Sequence, residues 1–395
     1  MDFGSRDILR TFRTPSEIEH KRGDTVANKP FISDQFTVDD LDSAIEFCYE
    51  KGWSDGLPVV PPTEEKVRRF LEVVEREPDE EIGFYRFRQR IVTMEKVAIN
   101  AVLAGCKPEY FPVVVAMIEC MADEGFELAN TPSTGGQSHG YIVNGPIRDQ
   151  IGLNYNGNFL GPGNRANATI GRAMALFKMN VLGHFGGAGR QDESGRTSFD
   201  RSTVGQPGKY AAYHIPENED ALGSLNPLHV ELGFQREQSV VTVFASRGHQ
   251  QISVHAEDNA EAIVNTISRY WLGTGRAASP DYDIGIVITI PPELMAHIDR
   301  DGWSKADLRQ ALFERTTRSQ AWVKEQGWAS GMWESRGALR VMGEAVEPGD
   351  EDRMVAIASH PDLIYIVCAG GPAGGFVDLL PPYGGGIPNS RVIKT

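Results

Sequence analysis

The stretch VVTVFASRGHQQISVHAEDNAEAIVNTISRYWLGTGRAASPDYDIGIVITI (240–290) opens on one β-branched run, Val240 to Ala245, and closes on another, Ile284 to Ile290. Short apolar runs rich in Val, Ile and Phe and bounded by polar turns read as strands. Between them Asp258, followed three residues later by Glu261, marks a helix start. Strand, helix and strand in that order predict a βαβ unit. Toward the C-terminus, Ser304 with Asp307 marks another helix, and Leu363 to Val367 is a buried strand running into the turn CAGGPAGG (368–375). Strands flanked by helices in this way predict an α/β fold, with mixed or largely parallel sheets covered on both faces and long Gly/Asn-rich loops.

Upstream, Leu41, Ile45, Cys48 and Tyr49 share one helical face and Gly52 closes that helix. The segment GWSDGLPVVPP (52–62) cannot be helical, because its prolines remove backbone donors and fix φ. Thr63 is placed as the N-cap of the next helix, and two more follow over 94–104 and 108–124. Tyr141 to Val143 forms a short strand, and an amphipathic helix follows the glycines of 161–163, with Ala166, Ile170, Ala173, Met174, Phe177 and Val181 on its apolar side. Residues 183–228 form a long polar excursion, of the kind that is functional or disordered in compact proteins. The resulting organisation is a polar arm (1–35), a helical and Gly/Asn-rich α/β domain (36–235) and a second α/β domain (236–395). The echo of GWS (52–54) at 302–304 is too short to establish a duplication.

The 395 residues carry 39 Lys plus Arg against 54 Asp plus Glu, a net charge of -15, which argues against nucleic acid and anionic membrane as partners. A local cluster of cations and backbone N–H groups can still bind a small anion, since salt screens distant charge. The four cysteines show no CxxC spacing, which fits a reduced cytoplasmic setting. No window approaches the ~18–20 apolar residues needed to cross a bilayer. A charged N-terminal arm of this type suits a homo-oligomer.

Four constellations are candidates for chemistry. In GPGNRANATIGR (161–172), Asn164, Arg165 and Asn167 stand at a helix start whose N–H groups favour an anion; the alternative is a capped Gly-rich turn. Gly370 and Gly371 follow a buried strand, where open α/β sheets place ligands, or else they permit a tight reversal. His229 and Glu231 in NPLHVELGF (226–234) would point to one side of an extended segment, as an acid–base pair or as metal ligands. His139 stands beside Gln137, Ser138 and Asn144 in a prospective pocket wall. With His184 and His214 it leaves a divalent metal open, although no dense ligand motif is present. Cys106 precedes Lys107, whose charge would favour thiolate, and Asp55 is presented by the proline-rich loop as an acid or base. Buried filler and a solvated carboxylate are the alternatives for those two.

Taken together, GWSDGLPVVPPTEEKV (52–67), the AGCKPEY block (104–110), IVNGPIRDQIG (142–152), GNRANATIGRA (163–173), TVGQPGKY (203–210) and PLHVELGF (227–234) resemble one family. It is the large component associated with the UGSC-motif, thioredoxin-like (seleno)proteins, and the similarity spans most of residues 45–375. The resemblance implies a bacterial cytosolic protein but carries no defined reaction. The UGSC or CGSC module itself is absent from this chain, so a thiol-redox step would require a separate thioredoxin-like partner. The expectation is an enzyme for a small polar or anionic molecule, of lyase or hydratase type, in which His229 and Glu231 move a proton. Thiol chemistry at Cys106 and a non-catalytic binding subunit are the alternatives.

Overall fold

The computed structural model describes residues 11–13, 29–85, 89–123, 126, 134–185, 191, 195, 197–273, 285–319, 321–322, 352, 354–355, 358, 360–382 and 387–395. The protein is α/β, built as two four-stranded mixed sheets with helices on their outer sides. Four helices precede the first sheet: α1 (Leu41–Glu50), α2 (Glu64–Val74), α3 (Met94–Leu103) and α4 (Phe111–Ala122). Thr63 caps α2 by accepting from Lys66 N, as its position predicts. A hairpin of β1 (Glu81–Tyr85) and β2 (Arg90–Thr93) lies between α2 and α3.

The first sheet contains β3 (Ser138–Asn144), β4 (Tyr213–Pro216) and β5 (Val240–Ser246), with α5 (Arg165–Asn180) crossing between β3 and β4. The second contains β6 (Gln250–Ser253), β7 (Ile286–Ile290), β8 (Ile364–Cys368) and β9 (Phe376–Leu380). Helices α6 (Ala260–Gly273), α7 (Pro292–Arg300) and α8 (Lys305–Thr316) cover it. The last strand, β10 (Asn389–Val392), returns to pair with β5 in the first sheet.

Read from one edge, the first sheet runs β10-β5-β3-β4 and the second β6-β9-β7-β8, and each shows two antiparallel pairings followed by one parallel pairing. The sheets exchange their first strand: β6 follows β5 in sequence yet pairs with β9, and β10 follows β9 yet pairs with β5. This exchange corrects two expectations. Val240–Ser246 and Ile286–Ile290 lie in different sheets, so the βαβ unit between them does not form; the parallel crossovers are β3-α5-β4 and β7-α7-α8-β8. A domain boundary at 235/236 also fails, because β5 and β10 belong to the sheet that β3 and β4 begin.

The four layers follow from strand periodicity. Tyr141 and Val143 point into the helical core of α1–α5, while Ile142 points into the core between the sheets. Likewise Ile286, Ile288 and Ile290 meet α6–α8, and Val287 faces the first sheet. Where both faces are buried, as in β5, β7 and β8, the strand is a near-continuous apolar run, and each fully buried aliphatic side chain contributes roughly 1.5–3 kcal/mol. Ser304 and Asp307 form a reciprocal capping box on α8. At α6 the capping side chain is Asn259, which accepts from Ala262 N, one residue after the Asp258 that sequence spacing selects. Residues 29–35, read from their polarity as part of an arm, dock on the core: Ile32 N and Ser33 N both donate to the buried Glu95 carboxylate at 2.9 Å. The rest of that arm falls largely on residues 1–10 and 14–28, outside the described residues. Among the described residues no helix is long and apolar enough to cross a membrane.

Candidate active site

A cavity of about 710 Å³ opens at the amino end of β3, between the C-terminal half of α5, the loop after α1 and the segment 199–212. Two chain features create it. Ser138 and His139 begin a strand whose first residues lie under α5, and α5 carries Lys178 on the stripe set by Ile170 and Met174, so helical periodicity drives an amine inward. Lys178 is 8% exposed and His139 2%. Lys178 Nζ lies 2.7 Å from His139 Nδ1. His139 Nε2 is buried without a hydrogen-bond partner.

Opposite them, Lys209 Nζ pairs with Asp200 Oδ2 at 2.6 Å and donates to Ser202 Oγ. Tyr213 OH donates to Gln206 Oε1 at 2.7 Å, and Gln206 Nε2 donates to Ser246 O at 3.2 Å, fixing that wall to the sheet. Burial and the nearby charge of Lys209 hold the Lys178 amine down at about 7 from an ordinary 10.5, against the opposing pull of Asp200. Burial, then the positive charges of Lys178 and His184, keep His139 well below its ordinary value and therefore neutral. Crowded groups that each disfavour one another's positive charge form a site that an anion relieves. Burial thus favours the neutral amine of Lys178, within hydrogen-bond distance of a neutral imidazole.

Of the sequence candidates, His139, His184 and Asp55 line this cavity, with Gln137 and Ser138 beside His139; Asn144, His214, His229, Glu231, Cys106, Asn164, Arg165, Asn167, Gly370 and Gly371 do not. Asp55 is committed to Arg172 through two contacts, Oδ2 with Nε at 2.8 Å and Oδ1 with Nη2 at 2.7 Å, and so ties the proline loop to α5. Asn144 ends the strand that His139 begins; five residues of strand separate them by about 17 Å and their parity puts them on opposite faces, so they share no pocket wall. Asn144 Nδ2 donates instead to Glu217 Oε2 at 2.6 Å and Glu219 Oε1 at 3.1 Å.

The expected extended segment at 228–231 is a helical turn. Side chains two residues apart in a helix diverge by roughly 200°, so His229 and Glu231 cannot act as a pair on one side. His229 is fully buried, with Nε2 at 3.3 Å from Arg236 O, while Glu231 accepts from Arg309 Nη2 at 2.6 Å. The GPGNRAN start serves the capping alternative. Asn164 accepts from Asn167 N and donates to Gly152 O, Arg165 donates twice to Gly105 O, and Asn167 holds Asn154 and Phe159. Gly370 N donates to Tyr155 O at 3.0 Å, and Gly371 lies against Gly157, so these glycines let two backbones approach. His214, whose ring is tilted against that of Tyr141 at 6.4 Å, is pressed by burial to about 4 and is a neutral core histidine.

Cys106 is buried and its Sγ donates to Thr169 O at 3.2 Å. Burial pushes the thiol up to about 12, overriding Thr169, Arg165 and Arg172, and Lys107 turns instead to Glu109 at 3.6 Å. This reverses the expectation of a lowered thiol. All four cysteines are buried, so a thiol reagent at neutral pH should leave the folded chain unlabelled and react after unfolding; rapid native labelling of Cys106 would restore it as a nucleophile. Among the described residues no group of three or more His, Cys, Asp or Glu side chains could hold a metal ion.

Lys178, Lys209 and Asp200 were not among the sequence candidates. The signal for Lys178 was present, since position 178 lies four residues after Met174 and three before Val181 on the apolar stripe. A lysine at a core position is a charge that must be paired, neutralised or used. Compared with protein-family models, curated proteins and solved structures, the chain matches none.

Proposed function

We propose that the protein is an enzyme that moves a proton on a small anionic substrate, in a lyase- or hydratase-type reaction, with Lys178 as the base and His139 as its proton partner. The observation that carries this reading is the 2.7 Å contact between the Lys178 amine and His139 Nδ1 inside a cavity large enough for a small acid. An unpaired buried amine is costly to stability, and such groups cluster where chemistry uses them. The substrate's negative charge is drawn by Lys209 and His184, and its reacting carbon would lie against Lys178.

The test is deuterium exchange in heavy water, followed by proton NMR, into a panel of small carboxylic acids that includes pyruvate and malate. Exchange should rise with pH through about 7, as the Lys178 amine, held down by burial and by the charge of Lys209 against the opposing pull of Asp200, loses its proton. His139→Gln should lower the rate roughly 100-fold, the usual scale for a lost proton-transfer partner. Full activity in Lys178→Met would overturn the assignment.

A further inference from the structure

We infer that Lys178 is also a nucleophile, which captures the carbonyl carbon of a small oxo acid and holds it as an imine. This rests on the cavity being the active site, but adds a substrate class and a covalent step.

Among the described residues two lysines are buried, and they differ in their partners. Lys305 forms an ion pair with Glu217 at 2.9 Å, with both side chains almost fully buried. Lys178 Nζ meets an imidazole nitrogen instead, inside a cavity. An amine that donates an N–H to a neutral imidazole keeps its lone pair for attack on an electrophile once its ionising proton has gone to solvent. The second ring nitrogen, His139 Nε2, is buried without a partner and faces the same need for a hydrogen-bonding group. Because Nδ1 accepts from the lysine, Nε2 carries hydrogen, and an oxygen on the ligand would satisfy it. Burial, which holds the amine at about 7, keeps a reactive fraction neutral at physiological pH.

The step balances without an oxidant or reductant. The Lys178 lone pair forms the C–N bond as the carbonyl π pair moves to oxygen, which takes a proton by way of His139. The carbinolamine then breaks its C–O bond, losing water whose two hydrogens came from the amine, and leaves C=N. Protonated on nitrogen, that imine draws electrons from the adjacent carbon, which is the activation a lyase-type cleavage or α-proton removal requires. The acid group of the substrate would face Lys209, which lines the same cavity.

The full-length chain is incubated with pyruvate as probe and sodium cyanoborohydride, then digested and read by mass spectrometry. One reduced pyruvyl group per chain is expected, on the peptide containing Lys178, with none there in Lys178→Arg and a roughly 10-fold or greater slowing in His139→Gln. Labels spread over exposed lysines such as Lys29 and Lys107, or no label with either pyruvate or glyoxylate, would overturn the imine. If Lys178→Arg does not fold, the position of the label in the unmutated chain decides. Proton exchange that needs Lys178 without any trapped adduct would retain the base and dismiss the imine. A trapped adduct without exchange would do the reverse.

Discussion

Lys178→Met is expected to abolish proton exchange, by roughly 100-fold or more, while making the folded chain harder to unfold on the acid side of neutrality. The two effects share one cause. The folded chain holds the Lys178 amine at about 7, whereas the ordinary value is 10.5. Between those two values the unfolded chain binds more protons than the folded one, so native stability rises with pH across that window. Below about pH 7 both states are protonated and the cost of burying the ammonium is fully present. Methionine fills similar volume and carries no charge, so the variant should gain on the order of 2–3 kcal/mol at pH 6, after allowing for the lost contact with His139. The advantage should fade as pH approaches 10. Urea unfolding at pH 6 and at pH 9.5 measures it, and a variant less stable than the parent at both would show that the amine is a structural element.

Glu217→Ala is expected to cost about 3–5 kcal/mol, the scale for leaving a buried partner charge without its counter-ion. Glu217 follows β4 in the first sheet, and its carboxylate gathers four donors: Lys305 Nζ at 2.9 Å, Asn144 Nδ2 at 2.6 Å, Leu228 N at 2.7 Å and Cys368 N at 3.2 Å. Lys305 begins α8 and Cys368 ends β8, so the carboxylate joins the two sheets where their parallel strands end. Burial alone would raise the Glu217 carboxyl, but Lys305, the Leu228 N–H and Asn144 outweigh it and hold the carboxyl below its ordinary value. Its stabilising contribution is therefore present above the unfolded-state value and is lost as pH falls through the lower folded one. The pair Glu217→Ala with Lys305→Met should recover much of the loss, since neither member of that buried ion pair is then left without its partner. Urea midpoints of the two single variants and the double variant check this; additive losses would mean that the carboxylate and the amine act independently.

The amino-acid sequence by itself determined the local elements of this protein. Thr63 and Ser304 cap the helices they precede, Gly52 and Gly105 end the helices they follow with positive φ, and the β-branched runs at 240 and 286 are strands. These signals act within a few residues, through hydrogen bonds and backbone sterics that any window of the chain contains. It also put a lysine at position 178 on an apolar stripe and a histidine at the head of β3, although the helical turn at 229–231 was hidden because two polar residues around one valine also fit a strand. Tertiary structure alone decided which strands share a sheet, because the exchange of β6 and β10 between sheets joins segments far apart in the chain. It likewise decided that the carboxyl ends of the parallel strands meet in an ionic knot around Glu217, and that the open cavity lies at the amino end of β3. Pairing Lys178 with His139 across 39 residues is a matter of distance in space, and no local spacing encodes it.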